Sequence, residues 1–285
     1  MTTPAPVPAV PLAIIGGGHM GGALARGGVA SGALDRGLLM VAEPDDARRA
    51  ALAAAGIPAC ATAPDALGWL RVADRGSAEG QVLLAVKPQM LAAAAAELAP
   101  TMAGAPRIVI SILAGTPSAK VRAAFGDAAR VVRAMPNLPV SVGLGVTAVA
   151  RGAGAAEGDE AFAERLFGAV GEVIAIDEAM MDAFTGVAGS GPAYVFYLAE
   201  AMVEAAVGLG FDRSAALLMV RGTVTGAAAL LAERAAEPGD LRAAVTSRGG
   251  TTAAAIGVLD AAGVGGHIAA AIRAARDRGA ELGRS

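Results

Sequence analysis

The sequence predicts two architectures in one chain: a doubly wound α/β sheet over residues 11–176 and an all-helical domain over 177–285, behind a frayed proline-rich tail over 1–10. Three observations predict this. Short apolar runs alternate regularly with alanine-rich helical stretches as far as Asp177. The first such run passes without a gap into a glycine turn and a helix. After Asp177 the strand-like runs stop and only helical periods continue.

Pro11-Leu12-Ala13-Ile14-Ile15 reads as a buried strand, and Gly16-Gly17-Gly18-His19-Met20-Gly21-Gly22 follows it before the helical Ala23-Leu24-Ala25. Strand, glycine turn and helix in this order suit a dinucleotide. Gly16 permits the tight turn, Gly18 lets a pyrophosphate approach the backbone at the helix start, and Gly21 lets helix and strand pack closely. His19 stands at a variable position and reads as a solvent-side residue of the loop rather than a catalytic one; with Met20 it is counted among the cofactor-binding residues.

The second strand, Leu38–Val41, runs to Glu43, about 27 residues after Gly16, where an acid accepts a hydrogen bond from a ribose 2′-hydroxyl and repels a 2′-phosphate. This leans toward NADH, while Arg48 and Arg49 stand close enough in sequence to pair with a phosphate. A helix over Asp46–Ala55 stops at Gly56, Ile57–Cys60 is a brief strand, and Asp65–Val72 is a helix with Trp69 as a core anchor. Gln81–Val86 is a buried strand running into Lys87-Pro88-Gln89, with helix over Met90–Leu98. Ligands in such sheets bind outside the carboxyl ends of the strands, so Val86, Lys87 and Pro88 join the cofactor candidates. The next strand, Arg107–Ser111, ends in the small-residue loop that holds Ala114 and Gly115, both cofactor candidates for the same reason. A strand over Ala129–Met135 enters Pro136-Asn137-Leu138-Pro139, where Asn137 can offer an amide to a nicotinamide or a substrate. Strand Leu144–Val149, helix Ala161–Gly168 and strand Glu172–Ile176 complete the alternation.

The second half is expected as one long helix over Glu178–Leu209, passing through Ala188-Gly189-Ser190-Gly191-Pro192 with a kink or close contact there, and then helices over Arg213–Glu233, Gly239–Val245, Thr252–Ala261 and Gly266–Leu282. Ala215–Leu231 is apolar all round with one charge, Arg221. Such a helix must be buried on every side. A domain of this size has difficulty burying it alone, so at least a homodimer through these helices is expected.

Composition removes several function classes. A net charge of −3 argues against nucleic-acid or anionic-membrane partners, which usually meet a basic surplus. One cysteine, Cys60, and two histidines far apart, His19 and His267, leave no expected metal site, disulfide framework or Cys/His nucleophile, and suit a reducing cytoplasm. The apolar stretch Ala193–Phe211 is broken by Glu200 and Glu204 and reads as a buried helix, not a membrane span. The first eight residues carry no Lys or Arg and no long apolar core, so no secretory signal is expected. Gly189-Ser190-Gly191 is no nucleophile elbow: the G-x-S-x-G pattern fails at Ala188 and no strand precedes it.

The stretch Thr246-Ser247-Arg248-Gly249-Gly250-Thr251-Thr252 packs hydroxyls and glycines directly before the helical Ala253–Ile256. The threonines are expected to cap that helix, and its free N–H groups, with glycines beside them, make a natural anion site.

Taken in order, Gly16-Gly17-Gly18-His19-Met20-Gly21, Val86-Lys87-Pro88-Gln89, Arg133-Ala134-Met135-Pro136-Asn137-Leu138-Pro139, Gly189-Ser190-Gly191-Pro192-Ala193-Tyr194 and Thr246–Thr252 resemble pyrroline-5-carboxylate reductase over nearly the whole chain. The resemblance implies a Rossmann-type N-terminal domain, an all-helical C-terminal dimerisation domain, and hydride transfer from NADPH or NADH to the C=N carbon of 1-pyrroline-5-carboxylate, giving L-proline. It implies that the Thr252 hydroxyl faces the ring nitrogen as the catalytic group. The segment Val245, Thr246, Ser247, Gly249, Gly250, Thr251 and Thr252 would bind substrate, with N–H groups of Ser247–Thr251 on its carboxylate. In the family this loop closes over a nicotinamide carried by the other subunit. Reducing a cyclic imine needs orientation and a hydrogen-bonded nitrogen rather than a nucleophile or metal, which fits a site poor in His and Cys.

Three residues depart from the family's pattern: Arg248 where it usually has proline, Ala188 where it often has serine, and Glu43 where many relatives favour a 2′-phosphate. Two other readings stand beside it. A 3-hydroxyacid or other imine reductase of the same build would, for the hydroxyacid case, want a lysine on Glu178–Leu209, which has none. A non-catalytic cofactor sensor would have little use for the hydroxyl-rich loop.

Overall fold

The computed structural model describes residues 10–77, 79–102, 106–233 and 237–284. Apart from Val10, the expected N-terminal tail lies outside the described residues.

Eight strands form one sheet: β1 (Leu12–Ile15), β2 (Leu39–Ala42), β3 (Ala59–Cys60), β4 (Gln81–Leu84), β5 (Arg107–Ser111), β6 (Ala129–Pro136), β7 (Gly145–Arg151) and β8 (Gly171–Ala175). Their order is β3-β2-β1-β4-β5-β6-β7-β8. All neighbours are parallel except β6 and β7, which pair antiparallel with Met135 opposite Ala148. The regular alternation read from sequence had not distinguished this pair. Its reason is length: residues 137–144 are too few for a parallel crossover, which needs a dozen or more, and Gly143 turns the chain back at φ 75°.

Successive side chains of a strand point to opposite faces, and the sheet carries a core on each. On one face Leu12, Ile14, Leu39 and Val41 pack with Leu24 of α1 (His19–Ala30), Leu52 of α2 (Asp46–Ala54) and Phe162, Leu166 and Phe167 of α6 (Ala161–Gly168). On the other, Ala13, Ile15, Val82 and Val109 pack with Leu67 and Leu70 of α3 (Ala63–Ala73), Leu91 and Leu98 of α4 (Leu91–Met102) and Val121 and Phe125 of α5 (Ser118–Phe125). The chain changes sides between β1 and β4, and that switch point opens the crevice in which such sheets bind ligands. Element boundaries move by a few residues from the sequence reading. The expected strand to Val86 leaves the sheet after Leu84, and α4 continues past Leu98 through Pro100 in its last turn. Trp69, expected as an anchor, is half-buried at the rim of the second core.

One charged pair lies inside the sheet layer. Arg107, at the start of β5, is fully buried and is paired with Asp74 at the end of α3; its guanidinium also donates to Gly80 O at 2.9 Å.

After Ala175 every described element is helical. The expected single helix over Glu178–Leu209 is interrupted. A 3-10 turn at Glu178–Met180 and α7 (Met181–Phe184) lead into a π turn over Thr185–Gly189, and α8 (Gly191–Gly208) begins anew after Ser190. Then follow α9 (Arg213–Glu233), α10 (Pro238–Ala244), α11 (Thr251–Ala261) and α12 (Val264–Arg284). By contacts the chain divides into a unit running to Gly189, rejoined by the chain from Ala275, and a second unit of Ser190–Ala274. In the second unit Val203, Ala216 and Val220 bind α8 to α9. Phe196, Tyr197, Leu198, Leu218, Leu230 and Leu231 on the same helices are exposed. By length and composition α9 would suffice to cross a membrane, as the core helix of a soluble protein also would.

Candidate active site

The glycine turn is built from close approaches. Gly16 sits at φ 106°, a conformation that side-chain-bearing residues rarely adopt, and a Cβ there would lie 2.7 Å from Ala85 O. A Cβ on Gly21 would overlap Gly16 O. Gly18 differs: its Cβ would meet nothing closer than Arg48 Nη1 at 3.8 Å, so this side of the turn is open. Gly18 is the N-cap of α1 and offers no side-chain cap, which leaves the first-turn N–H groups, those of His19, Met20 and Gly21, without a side-chain acceptor. His19 is exposed and Met20 half-buried. A turn shut to side chains at Gly16 and Gly21 and open at Gly18 fits a pyrophosphate.

Two hollows flank this turn. One, about 240 Å³, is lined by Ala42, Pro44, Thr62, Val86 and Met90, a mostly apolar bay at the carboxyl ends of β2, β3 and β4. The other, about 170 Å³, is lined by Gly17, Gly18, His19, Arg26 and Arg48. Glu43, just beyond β2, is buried with its carboxylate accepting from Asp45 N at 3.0 Å, and Arg48 Nη1 lies 3.9 Å from it. Arg49 is turned elsewhere: its guanidinium donates to Glu43 O, Pro44 O and the Asp46 carboxylate. Lys87 is exposed and precedes the 3-10 turn at Pro88–Met90. Gly16, Gly18, Glu43, Val86, Lys87 and Pro88 thus gather at the switch point, from three separate segments of sequence.

The loop after β5 is held by partners that sequence reasoning missed. Gly115 adopts φ 64°, and a Cβ there would lie 2.9 Å from Leu282 Cβ and 3.0 Å from Gly279 O, so the end of α12 seals one side of the loop. Ala114 beside it is half-buried. Ser118, opening α5, donates from both N–H and Oγ to the Glu178 carboxylate, which also accepts from Arg133 Nη1 at 3.2 Å. Ser118 Oγ in turn accepts from Ala153 N at 2.9 Å. The one signal in the sequence was Arg133 itself, a cation inside a buried strand that requires a carboxylate somewhere.

Asn137 is buried and largely committed. Its Oδ1 accepts from Val146 N at 2.9 Å and its Nδ2 donates to Ala188 O at 3.0 Å. The side chain ties β7 to the π turn, and of the amide expected to serve a nicotinamide or substrate a single N–H remains.

In the second unit the hydroxyl-rich loop departs from expectation in one respect. The threonines do not cap α11. Gly250 is the N-cap, at φ −80° and ψ 173°, and makes no side-chain cap; Thr251 and Thr252 already lie inside the helix. With no N-cap side chain to accept from them, the N–H groups of the first turn lack their usual side-chain acceptor. Thr246 Oγ1 bonds back to Arg242 O at 2.6 Å, Gly249 takes the left-handed turn at φ 73°, and Gly250 N donates to Ser247 O at 3.0 Å. Thr246, Gly250 and Thr252 are half-buried; Val245, Ser247, Arg248, Gly249 and Thr251 are exposed.

Similarity to known proteins covers both halves. The family model described as pyrroline-5-carboxylate reductase dimerisation matches residues 178–282, and one described as NADP oxidoreductase, coenzyme F420-dependent, matches residues 11–115. A curated pyrroline-5-carboxylate reductase of Synechocystis sp. is 40% identical over 276 residues, which cover 96% of this chain and 99% of that protein. The chain belongs to the pyrroline-5-carboxylate reductase family. A reductase of Arabidopsis thaliana so named is 35% identical over 99% of both chains. The solved structure of a pyrroline-5-carboxylate reductase from Coxiella burnetii superposes with a TM-score of 0.84 at 31% identity, covering 97% of this chain and 100% of that one. A Plasmodium falciparum pyrroline carboxylate reductase, solved with NADP bound, shares the fold at a TM-score of 0.81 and 22% identity, covering 98% of this chain and 100% of that one. As a pyrroline-5-carboxylate reductase family member the chain is an NAD(P)-dependent oxidoreductase, and its glycine turn, closed to a Cβ at Gly16 and Gly21 and open at Gly18, has a shape that fits a dinucleotide.

Proposed function

We propose that the chain reduces the C=N bond of 1-pyrroline-5-carboxylate to L-proline with NADPH or NADH, the last step of proline biosynthesis. The observation that carries the residue assignment is the start of α11, where glycines and hydroxyls precede N–H groups that no side chain caps. A carboxylate is the ligand such a helix start favours. Backbone N–H groups of the Ser247–Thr251 loop, other than that of Gly250, which donates to Ser247 O, hold the substrate carboxylate, with Val245 and Thr246 shaping the loop. The hydroxyl of Thr252 lies one turn position further in and donates to the ring nitrogen, so that a proton is at hand where negative charge would otherwise develop.

The N–H groups that open α1 hold the pyrophosphate, with Gly16, Gly18, His19, Met20 and Gly21 forming the cradle. Glu43, Val86, Lys87, Pro88, Ala114, Gly115 and Asn137 complete the cofactor side. When bound, the reduced nicotinamide supplies the hydride. The protein's part is then orientation, exclusion of water and a hydrogen bond to nitrogen, which requires no nucleophilic side chain.

The chain works at least as a homodimer. The exposed apolar side chains of α8 and α9 support this, as does the match of 178–282 to a dimerisation domain. By the family resemblance we take the substrate loop of each subunit to close over a nicotinamide carried by the other. We take 11–176 as the cofactor-binding part and 177–285 as the substrate and dimer part, supported by the last strand ending at Ala175. A cytoplasmic setting is supported by the single free cysteine, Cys60. Nicotinamide oxidation in the presence of 1-pyrroline-5-carboxylate tests the reaction, and the loss of that turnover in Thr252→Ala tests the site.

A further inference from the structure

We infer that this chain selects NADH over NADPH, and that Glu43 is the residue that makes the selection. The inference rests on the nicotinamide-cofactor reading of the glycine turn and is independent of which imine is reduced.

Position comes first. Glu43 follows β2 directly, and a Cβ on Gly17 would lie 2.8 Å from Glu43 Cβ, so the acid leans on the glycine turn itself. It stands between the two hollows: its neighbours Ala42 and Pro44 line the apolar bay, while Gly17 and Arg48, against which it packs, line the other. A dinucleotide whose pyrophosphate lies on Gly18 and whose adenine enters the apolar bay must carry its adenosine ribose past Glu43. The carboxylate there is held in place by Asp45 N–H at 3.0 Å, with its side chain 4% exposed. A fixed carboxylate accepts from a 2′-hydroxyl and opposes a 2′-phosphate.

Charge comes second. Glu43, Asp45 and Asp46 put three carboxylates into four residues at this corner. Two cations follow, and neither is free to receive a phosphate. Arg49 spends its guanidinium on Glu43 O, Pro44 O and Asp46. Arg48 is the nearer one, and its Nη1 faces Glu43 Oε1 at 3.9 Å, so a phosphate would have to draw it away from a carboxylate that remains beside it. A unit charge at such a distance near a protein surface changes affinity by about tenfold or more. Removing the Glu43 charge has two effects in the same direction: it ends the repulsion and it releases Arg48.

The test is direct binding of NADH and NADPH to the full chain without imine substrate, read by nicotinamide fluorescence or calorimetry. The native protein should bind NADH at least about tenfold more tightly than NADPH. Glu43→Gln keeps an acceptor for Asp45 N–H and should shift the ratio of the two dissociation constants by at least about tenfold toward NADPH. Arg48→Ala should shift it the opposite way, and serves as the second variant if Glu43→Gln fails to fold; the ratio cancels any loss common to both cofactors. Equal or tighter binding of NADPH by the native protein would overturn the inference, as would an unchanged ratio in Glu43→Gln. Binding of neither cofactor would overturn it together with the cofactor reading, whereas an NADH preference without turnover would leave it standing and remove the proposed reaction alone.

Discussion

Replacing Asp74 by alanine tests whether the buried pair with Arg107 fixes the corner where α3, β4 and β5 meet. The two side chains are 0% and 1% exposed, Asp74 Oδ1 also accepts from Gly76 N at 2.9 Å, and Arg107 donates to Gly80 O at 2.9 Å. Alanine at 74 leaves a guanidinium buried without its counter-charge. Breaking such a pair from one side costs about 3–5 kcal/mol, because the remaining ion has lost its compensation but not its desolvation. For a chain of this size each kcal/mol lowers the melting temperature by roughly 2–4 °C, so Asp74→Ala should melt about 6–20 °C lower. Arg107→Met should cost a similar amount for the mirror-image reason. The double variant removes both charges and should be markedly more stable than the sum of the single losses predicts. The assay is urea unfolding followed by far-ultraviolet circular dichroism, at one fixed protein concentration because an oligomer's stability depends on it. Single losses under about 1 kcal/mol, or strict additivity, would refute the argument that the pair is locked in the core.

Three further outcomes are expected. Gly21→Ala places a Cβ on Gly16 O, a backbone atom that cannot move aside, so NADH and NADPH binding should both be lost while the helical content remains. Glu160 is held below its ordinary carboxyl range by its hydrogen bond from Arg151, at 2.6 Å. A carboxyl lowered in the folded state adds stability that is present above its unfolded value and lost as pH falls through the lowered one, so the native protein should lose stability below about pH 4.5 more steeply than Arg151→Met. A matching slope in the two proteins would remove this contribution. For the shared site, Gly21→Ala and Thr252→Ala subunits, each inactive alone, should recover about a quarter of native turnover when unfolded, mixed in equal amounts and refolded, since half the dimers then carry one intact site of two. No recovery would place each whole site within one subunit.

Much of this molecule is written locally and could be read so. Leu12–Ile15, the glycines and α1 follow one another without a gap, and each needs only its neighbours to be interpreted. The same holds for α9, whose apolar character on every side is legible from its own residues and whose Leu218, Leu230 and Leu231 are exposed in the structure. What escaped depends on distance or on backbone geometry. Ser118 meets Glu178 across 60 residues, and Asp74 meets Arg107 across 33, and no spacing rule joins them. The antiparallel turn between β6 and β7 was legible in principle from the shortness of 137–144, but the alternation around it masked the signal. The break in the helix was marked by Ala188-Gly189-Ser190-Gly191-Pro192, where a kink was expected, but its form, a π turn over Thr185–Gly189, was not legible from those residues. At α11 the helix start read from the sequence was off by a step: the helix starts at Thr251, which makes Gly250 the cap and leaves the first-turn N–H groups without a capping side chain.

The measurement that tests the central claim most directly is the rate of NADH and NADPH oxidation with 1-pyrroline-5-carboxylate, for the native chain and for Thr252→Ala, beside cofactor binding to both. The native protein should turn 1-pyrroline-5-carboxylate over to L-proline, Thr252→Ala should be slower by about a hundredfold or more, and cofactor binding should be unchanged in the variant. Turnover that survives the substitution would contradict the role given to Thr252, and cofactor binding without any turnover in the native protein would contradict the reaction itself.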